Sequence, residues 1–150
     1  MIGGSWTVLG AGSALPRSGY GPSAHLLRHA SLDGPLLLDC GSGTIRALDA
    51  QDVTLAELRR VVVTHFHVDH CLDLAALAFA RRNPAARAGP LEIFAPERLC
   101  EVLAGLESAF GRGAVFQDTT LRPLQPHAGA VGLQLDAARL RWTPNGHTPD

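Results

Sequence analysis

Three β-branched residues, Val61-Val62-Val63, lead directly into Thr64-His65-Phe66-His67-Val68-Asp69-His70. The valines read as a short buried strand. Beyond the histidines, Leu72, Leu74, Ala75, Leu77, Ala78 and Phe79 recur at helical spacing as far as Arg81 and Arg82. The segment therefore reads as strand, polar loop, helix, the repeating unit of a layered α/β fold. Rigid scaffolds present reactive groups on loops at strand ends.

Three imidazoles and one carboxylate within six residues are a dense donor set. Neutral imidazole nitrogens and carboxylate oxygens suit zinc and similar divalent ions. In extended chain, residues two apart point the same way, so His65 and His67 can converge on one ion. Asp69 and His70 follow the turn and aim at a neighbouring point. Four donors exceed what one ion with an open position conveniently takes. Two adjacent ions sharing a bridging water account for the surplus better.

The H-x-H-x-D-H pattern after a strand resembles the metallo-β-lactamase-fold hydrolases. Thr7-Val8-Leu9-Gly10-Ala11-Gly12-Ser13-Ala14-Leu15-Pro16 is similar to their first strand and turn. Leu36-Leu37-Leu38-Asp39-Cys40-Gly41-Ser42-Gly43-Thr44 is similar to their aspartate–glycine motif. The order and separation of these segments resemble the ribonuclease Z branch across nearly the whole chain. The resemblance implies an α/β, layered αββα fold with the metals at the sheet edge between two units. The family's bridging Asp and late His have no counterpart before Asp150. Residues 1–150 are thus expected to be the N-terminal part of one such domain, truncated after the first sheet-plus-helices unit.

The resemblance also implies roles. His65 and His67 hold the first metal together with a His from a later loop. His147 matches that place after the strand-like run Leu133 to Trp142; His127, without a comparable strand before it, ranks second. Asp69 and His70 begin the second metal site, and Asp69 also steers protons. Asp39 hydrogen-bonds the ligand loop and fixes ligand orientation. Zinc, two ions in the complete domain, is the expected cofactor; the family's di-iron members carry Glu where this chain has His67.

Composition narrows the alternatives. At 150 residues, 46% hydrophobic and 18% charged, one globular domain is expected. The sequence has no apolar run of membrane-spanning length and no evident signal peptide, so no membrane is expected and the cytoplasm is the expected compartment. All thirteen basic residues are Arg, which excludes a Walker-type phosphate loop and Lys Schiff-base chemistry within the chain. A net charge of -1 argues against a broadly basic nucleic-acid face. Cys40, Cys71 and Cys100 read as reduced, buried thiols. Gly10-Ala11-Gly12 lacks the third glycine of a dinucleotide fingerprint, and no G-x-S-x-G occurs.

Strands are expected at Ser5 to Gly10, Ser23 to His29 (with His25 and His29 on the solvent side), Leu36 to Asp39 and Leu91 to Ala95. Helices are expected from Thr44 to Ala50, with Thr44 or Ser42 near the N-cap, and from Pro96 to about Phe110. In the latter, Leu99, Val102, Leu103 and Leu106 share a face. Leu55 to Arg60 reads as a helical turn, and Ala114 to Trp142 as strands between Pro and Gly turns. An incompletely covered sheet would favour self-association, a homodimer in the simplest case.

The expected function is metal-dependent hydrolysis of an ester-type bond, first a phosphodiester, with tRNA 3′-end processing leading by resemblance. Gly19-Tyr20-Gly21-Pro22 stands where ribonuclease Z carries an Arg-Asn pair. That keeps a small-molecule phosphodiesterase, sulfatase or lactonase level with the ribonuclease. A non-catalytic truncated remnant serving binding or assembly is the reading from another class.

Overall fold

The computed structural model describes residues 3–15, 17–86, 89–125 and 132–143. Strands β1 (Gly4–Gly10), β2 (Ala24–His29), β3 (Leu36–Leu38), β4 (Arg60–Val62), β5 (Leu91–Pro96) and β6 (Thr119–Leu124) form one sheet in that order. The β1–β2 and β2–β3 junctions are antiparallel; β3 through β6 run parallel. Parallel neighbours need crossovers. Helix α1 (Thr44–Asp49) lies between β3 and β4. Helices α2 (Val68–Cys71) and α3 (Leu74–Ala80) lie between β4 and β5, and α4 (Glu97–Phe110) between β5 and β6. Strands β7 (Leu133–Leu135) and β8 (Ala138–Leu140) make a separate antiparallel hairpin.

The register aligns Leu26, Leu37, Val61, Ile93 and Leu121 in one row across β2 to β6. Leu48 of α1, Leu74 and Leu77 of α3, and Leu99 and Leu103 of α4 join this row in one core. Each fully buried side chain of this kind contributes about 1.5–3 kcal/mol, and a one-residue slip would turn the whole row to the other face. The next row, His25, Leu38, Val62, Phe94 and Arg122, faces away from the helices. There the hairpin packs Leu133, Leu135 and Leu140 against Leu36, Val62 and Phe94. Asp136, in its turn, accepts from both guanidinium nitrogens of Arg60 and, at 2.7 Å, from the Asp33 N–H. The layers are helices, sheet, hairpin.

Several expectations need correction. Leu133 to Trp142 is not one strand; it folds back at Asp136 and Ala137, where Ala137 N–H donates to the Ser31 carbonyl at 3.1 Å. The helix after the histidines is broken, because Asp73 N–H donates to the Cys40 carbonyl at 3.0 Å and its carboxylate accepts from Ile45 N–H at 3.3 Å. Asp69 and His70 consequently lie in α2, not in a loop. Of the helical turn expected from Leu55 to Arg60, only Leu55 to Glu57 form a turn, closed by Glu57 accepting from the Thr54 N–H at 3.2 Å and hydroxyl at 2.9 Å, and Arg60 already belongs to β4. Gly43, with φ 89°, caps α1 in place of Thr44 or Ser42, and Thr44 donates its hydroxyl to the Gly41 carbonyl at 2.6 Å. On α4 the buried residues are Leu99, Cys100 and Leu103, while Val102 is exposed. His25 is half-buried beside Trp6, ring centroids 5.5 Å apart, rather than solvent-facing.

Cys40, Cys71 and Cys100 are free and buried. Among the described residues no helix is long and apolar enough to cross a membrane. The hairpin covers the middle of the far sheet face; at its edge Trp6 and Val8 stay 56% and 54% exposed.

Candidate functional site

The carboxyl ends of the parallel strands β3 and β4 meet at one end of the sheet, where open α/β sheets place their ligands. Asp39 follows β3 and His65 follows β4. Asp39 is 3% exposed and holds a positive φ of 58°, a conformation Asp tolerates better than most residues. Its N–H donates to the Val62 carbonyl at 2.8 Å, fixing it to the neighbouring strand.

The Asp39 carboxylate accepts four hydrogen bonds. Oδ1 takes the Thr64 N–H and hydroxyl, each at 2.9 Å. Oδ2 takes the Ser23 hydroxyl at 2.9 Å and His70 Nδ1 at 2.7 Å. A carboxylate only accepts, so His70 carries its proton on Nδ1 and presents a lone pair at Nε2. Thr64 has a single hydroxyl proton, and it goes to Asp39. Towards His65 Nδ1, 3.0 Å away, that oxygen therefore accepts. His65 in turn is protonated on Nδ1 and presents Nε2 as a lone pair. One buried carboxylate thus sets the tautomer of two rings.

His65 Nε2 stands 3.1 Å from His67 Nδ1. Two nitrogens on one tetrahedral zinc stand about 3.3 Å apart, so the spacing and the donor chemistry fit such an ion. The His65 and His70 ring centroids are 4.0 Å apart, and Asp69 Oδ2 lies 4.0 Å from His70 Nε2. The donors meet in pairs: among the described residues no group of three or more His, Cys, Asp or Glu is arranged to hold a metal ion. His147 and its competitor His127 lie outside the described residues.

Cys71 adjoins this group but has other business. Burial, and then the Asp39 and Asp69 carboxylates, push its thiol up to about 11, and it donates to the His67 carbonyl at 3.2 Å. A protonated thiol of this kind is a poor ligand. Gly41 brings the loop after β3 flat against α2. A Cβ there would overlap the Asp69 carbonyl oxygen and sit 2.7 Å from Pro22 Cβ. Cys40 N–H donates to the His70 carbonyl at 2.7 Å. On the other side Arg98, at the start of α4, places its guanidinium 5.9 Å from the centroid of the Phe66 ring.

Sequence reasoning passed over Ser23 and Thr64. Thr64 carried a usable signal, a hydroxyl wedged between a buried strand and the first histidine. Ser23 carried none, because its partner is sixteen residues away.

The family model of the anti-Pycsar protein Apyc1 matches residues 5–147. Ribonuclease Z of Mycobacterium bovis is 30% identical over 153 residues, covering 95% of this chain and 54% of the relative. Ribonuclease Z of Parasynechococcus marenigrum is 30% identical over 150 residues, covering 94% and 44%. The chain spans about half the length of the curated relatives it matches. Human tRNase Z, short form, superposes with a TM-score of 0.68 at 28% identity, over 82% of this chain and 45% of that one. The metallo-β-lactamase fold protein YhfI of Bacillus subtilis gives 0.66 at 26% identity, over 82% and 47%. The chain belongs to the family of the anti-Pycsar protein Apyc1, and to the ribonuclease Z-like branch of the metallo-β-lactamase fold.

Proposed function

We propose that the protein is a metal-dependent hydrolase of a phosphodiester bond, and that residues 1–150 are the N-terminal part of its catalytic domain. The observation that carries this reading is the imidazole group wired to Asp39 at the strand ends. His65 and His67 would hold one ion, with His147 as the third nitrogen. Asp69 and His70 would begin the site of a second. When bound, zinc-type ions supply Lewis-acid activation of water. The chain's own residues do the rest. Asp39 keeps the Nδ1 proton on His70 and, through Thr64, on His65, so both rings offer Nε2 lone pairs. Asp69, half-buried with Oδ2 4.0 Å from His70 Nε2, would be the residue that steers protons.

The leading substrate is RNA, after the ribonuclease Z and tRNase Z relatives. A small phosphodiester is the second reading. It is favoured by Gly19-Tyr20-Gly21-Pro22 in place of an Arg-Asn pair, and by a family match that carries a name other than ribonuclease. A cytoplasmic location and a homodimer complete the proposal.

The test is hydrolysis by full-length protein of a tRNA precursor with a 3′ trailer and of bis(p-nitrophenyl) phosphate, before and after chelation. Turnover that stops on chelation and returns with zinc is expected. Absent turnover together with absent zinc binding would overturn the proposal and leave the non-catalytic reading.

A further inference from the structure

We propose that Phe66 and Arg98 are positioning residues for the metal ligands: the aromatic ring between the two histidines is held by the core and by the guanidinium, and it sets how His65 and His67 face each other. The proposal rests on the metal-dependent reading above and deepens it by naming residues of that site that would bind no ion themselves. The His67 N–H donates to the His65 carbonyl at 3.1 Å. A bond between residues two apart closes a three-residue turn, and Phe66 is its central residue. This turn brings the rings together, with centroids 4.7 Å apart and 72° between the planes. Whatever fixes the central residue therefore fixes the angle between the two rings.

Both flanks of the turn are tied by hydrogen bonds. His65 is oriented through Thr64 and Asp39. The His67 carbonyl accepts from the His70 N–H at 3.0 Å and from the Cys71 thiol at 3.2 Å. Phe66 is held by its ring. It is half-buried and packs against the core that contains Leu99, Cys100 and Leu103 of α4. Arg98 belongs to the first turn of that helix, and its guanidinium carbon stands 5.9 Å from the ring centroid, within cation–π range.

The helix is a firm support for such a contact. Its Leu99, Cys100 and Leu103 are buried, and the strand before it is tied to the end of β4, where Val63 N–H donates to the Phe94 carbonyl at 2.8 Å. The element after β5 thus reaches across to the ligand turn after β4, and one ring joins the two. Arg98 itself is exposed, so its removal costs the fold little; what it holds is the turn.

The experiment uses full-length protein. It reads zinc affinity by chelator competition, the visible spectrum of the cobalt-substituted form, and urea denaturation of the metal-free form. Phe66→Ala should weaken zinc about 10–100-fold, and Phe66→Tyr should bind like the wild type. Arg98→Ala should weaken zinc about 2–5-fold and shift the cobalt bands while the urea midpoint stays in place, a split that a merely structural role would not produce. In a Phe66→Leu background, Arg98→Ala should have no further effect. Arg98→Ala binding zinc like the wild type, with an unshifted cobalt spectrum, would overturn the proposal even where Phe66→Ala fails to fold. So would an Arg98→Ala effect undiminished in the Phe66→Leu background. Zinc bound by the wild type and equally by every variant would sink this proposal alone. A wild type that binds neither ion would take the metal-dependent reading with it.

Discussion

Asp39 and Asp136 adopt the same unusual backbone, with φ of 58° and 52°, at two different places on the sheet. Asp39 lies at the carboxyl end of β3, 3% exposed, and its partners are hydroxyls, a backbone N–H and an imidazole. Asp136 lies at the rim of the far face, its side chain 29% exposed, and its principal partner is the Arg60 guanidinium. Burial makes the difference. Asp39 itself is shut off from water, while Ser23 and His70 are half-buried and Thr64 is exposed; four donors converge on the one carboxylate, so it dictates ring orientation. At the wet rim an ion pair is worth little, and the hairpin depends mainly on Leu133, Leu135 and Leu140.

Removing each aspartate separates these cases. Asp39→Ala leaves four donors without their acceptor and should cost about 1–3 kcal/mol by urea denaturation; a loss under 1 kcal/mol would erase the contrast. Asp39→Asn keeps the backbone preference but turns an amide towards donors, and zinc affinity should fall about 10–100-fold. Zinc at a hundredfold excess over its Kd should stabilise the wild type by about 2.7 kcal/mol. His67→Ala should abolish that gain while the metal-free melt barely moves.

Asp136→Ala should cost about 1 kcal/mol or less, with faster amide exchange confined to β7 and β8. The Arg60 guanidinium, then the Asp33 N–H, hold the Asp136 carboxyl below its ordinary 3.8. Its contribution is therefore complete above about pH 4 and disappears as pH falls through the lowered folded value. The variant should lack that portion of the acid loss. The smallest effect is expected at Glu107, which accepts N–H groups from Gly113, Ala114, Val115 and Phe116. These bonds, Phe116 first, lower its carboxyl below 4.5. Glu107→Gln should melt slightly earlier at neutral pH, with the gap closing as the wild type is acidified.

The strand–loop–helix order was readable because Val61 to Val63 and the histidines are unambiguous locally. The break at Asp73 was not, because its causes, Cys40 and Ile45, are about thirty residues distant in sequence. The turn at Asp136 left a trace that could have been used: the apolar positions 133 and 135 are odd, 140 and 142 even, and a strand cannot change parity without folding or bulging. Asp39 was marked by its position after a strand and before a glycine. Its partners Ser23 and Thr64 were not, because they are ordinary residues until the sheet brings them together.

Gly41 leaves the chain no freedom at a point where freedom would matter. Any side chain there would drive the loop after β3 away from the backbone of Asp69, and the whole imidazole group would move with it. Saturating positions 41 and 42 in a selection for function should return glycine alone at the first and broad variety at the exposed second. New specificity in such a protein would have to arise from residues around that pivot, never through it.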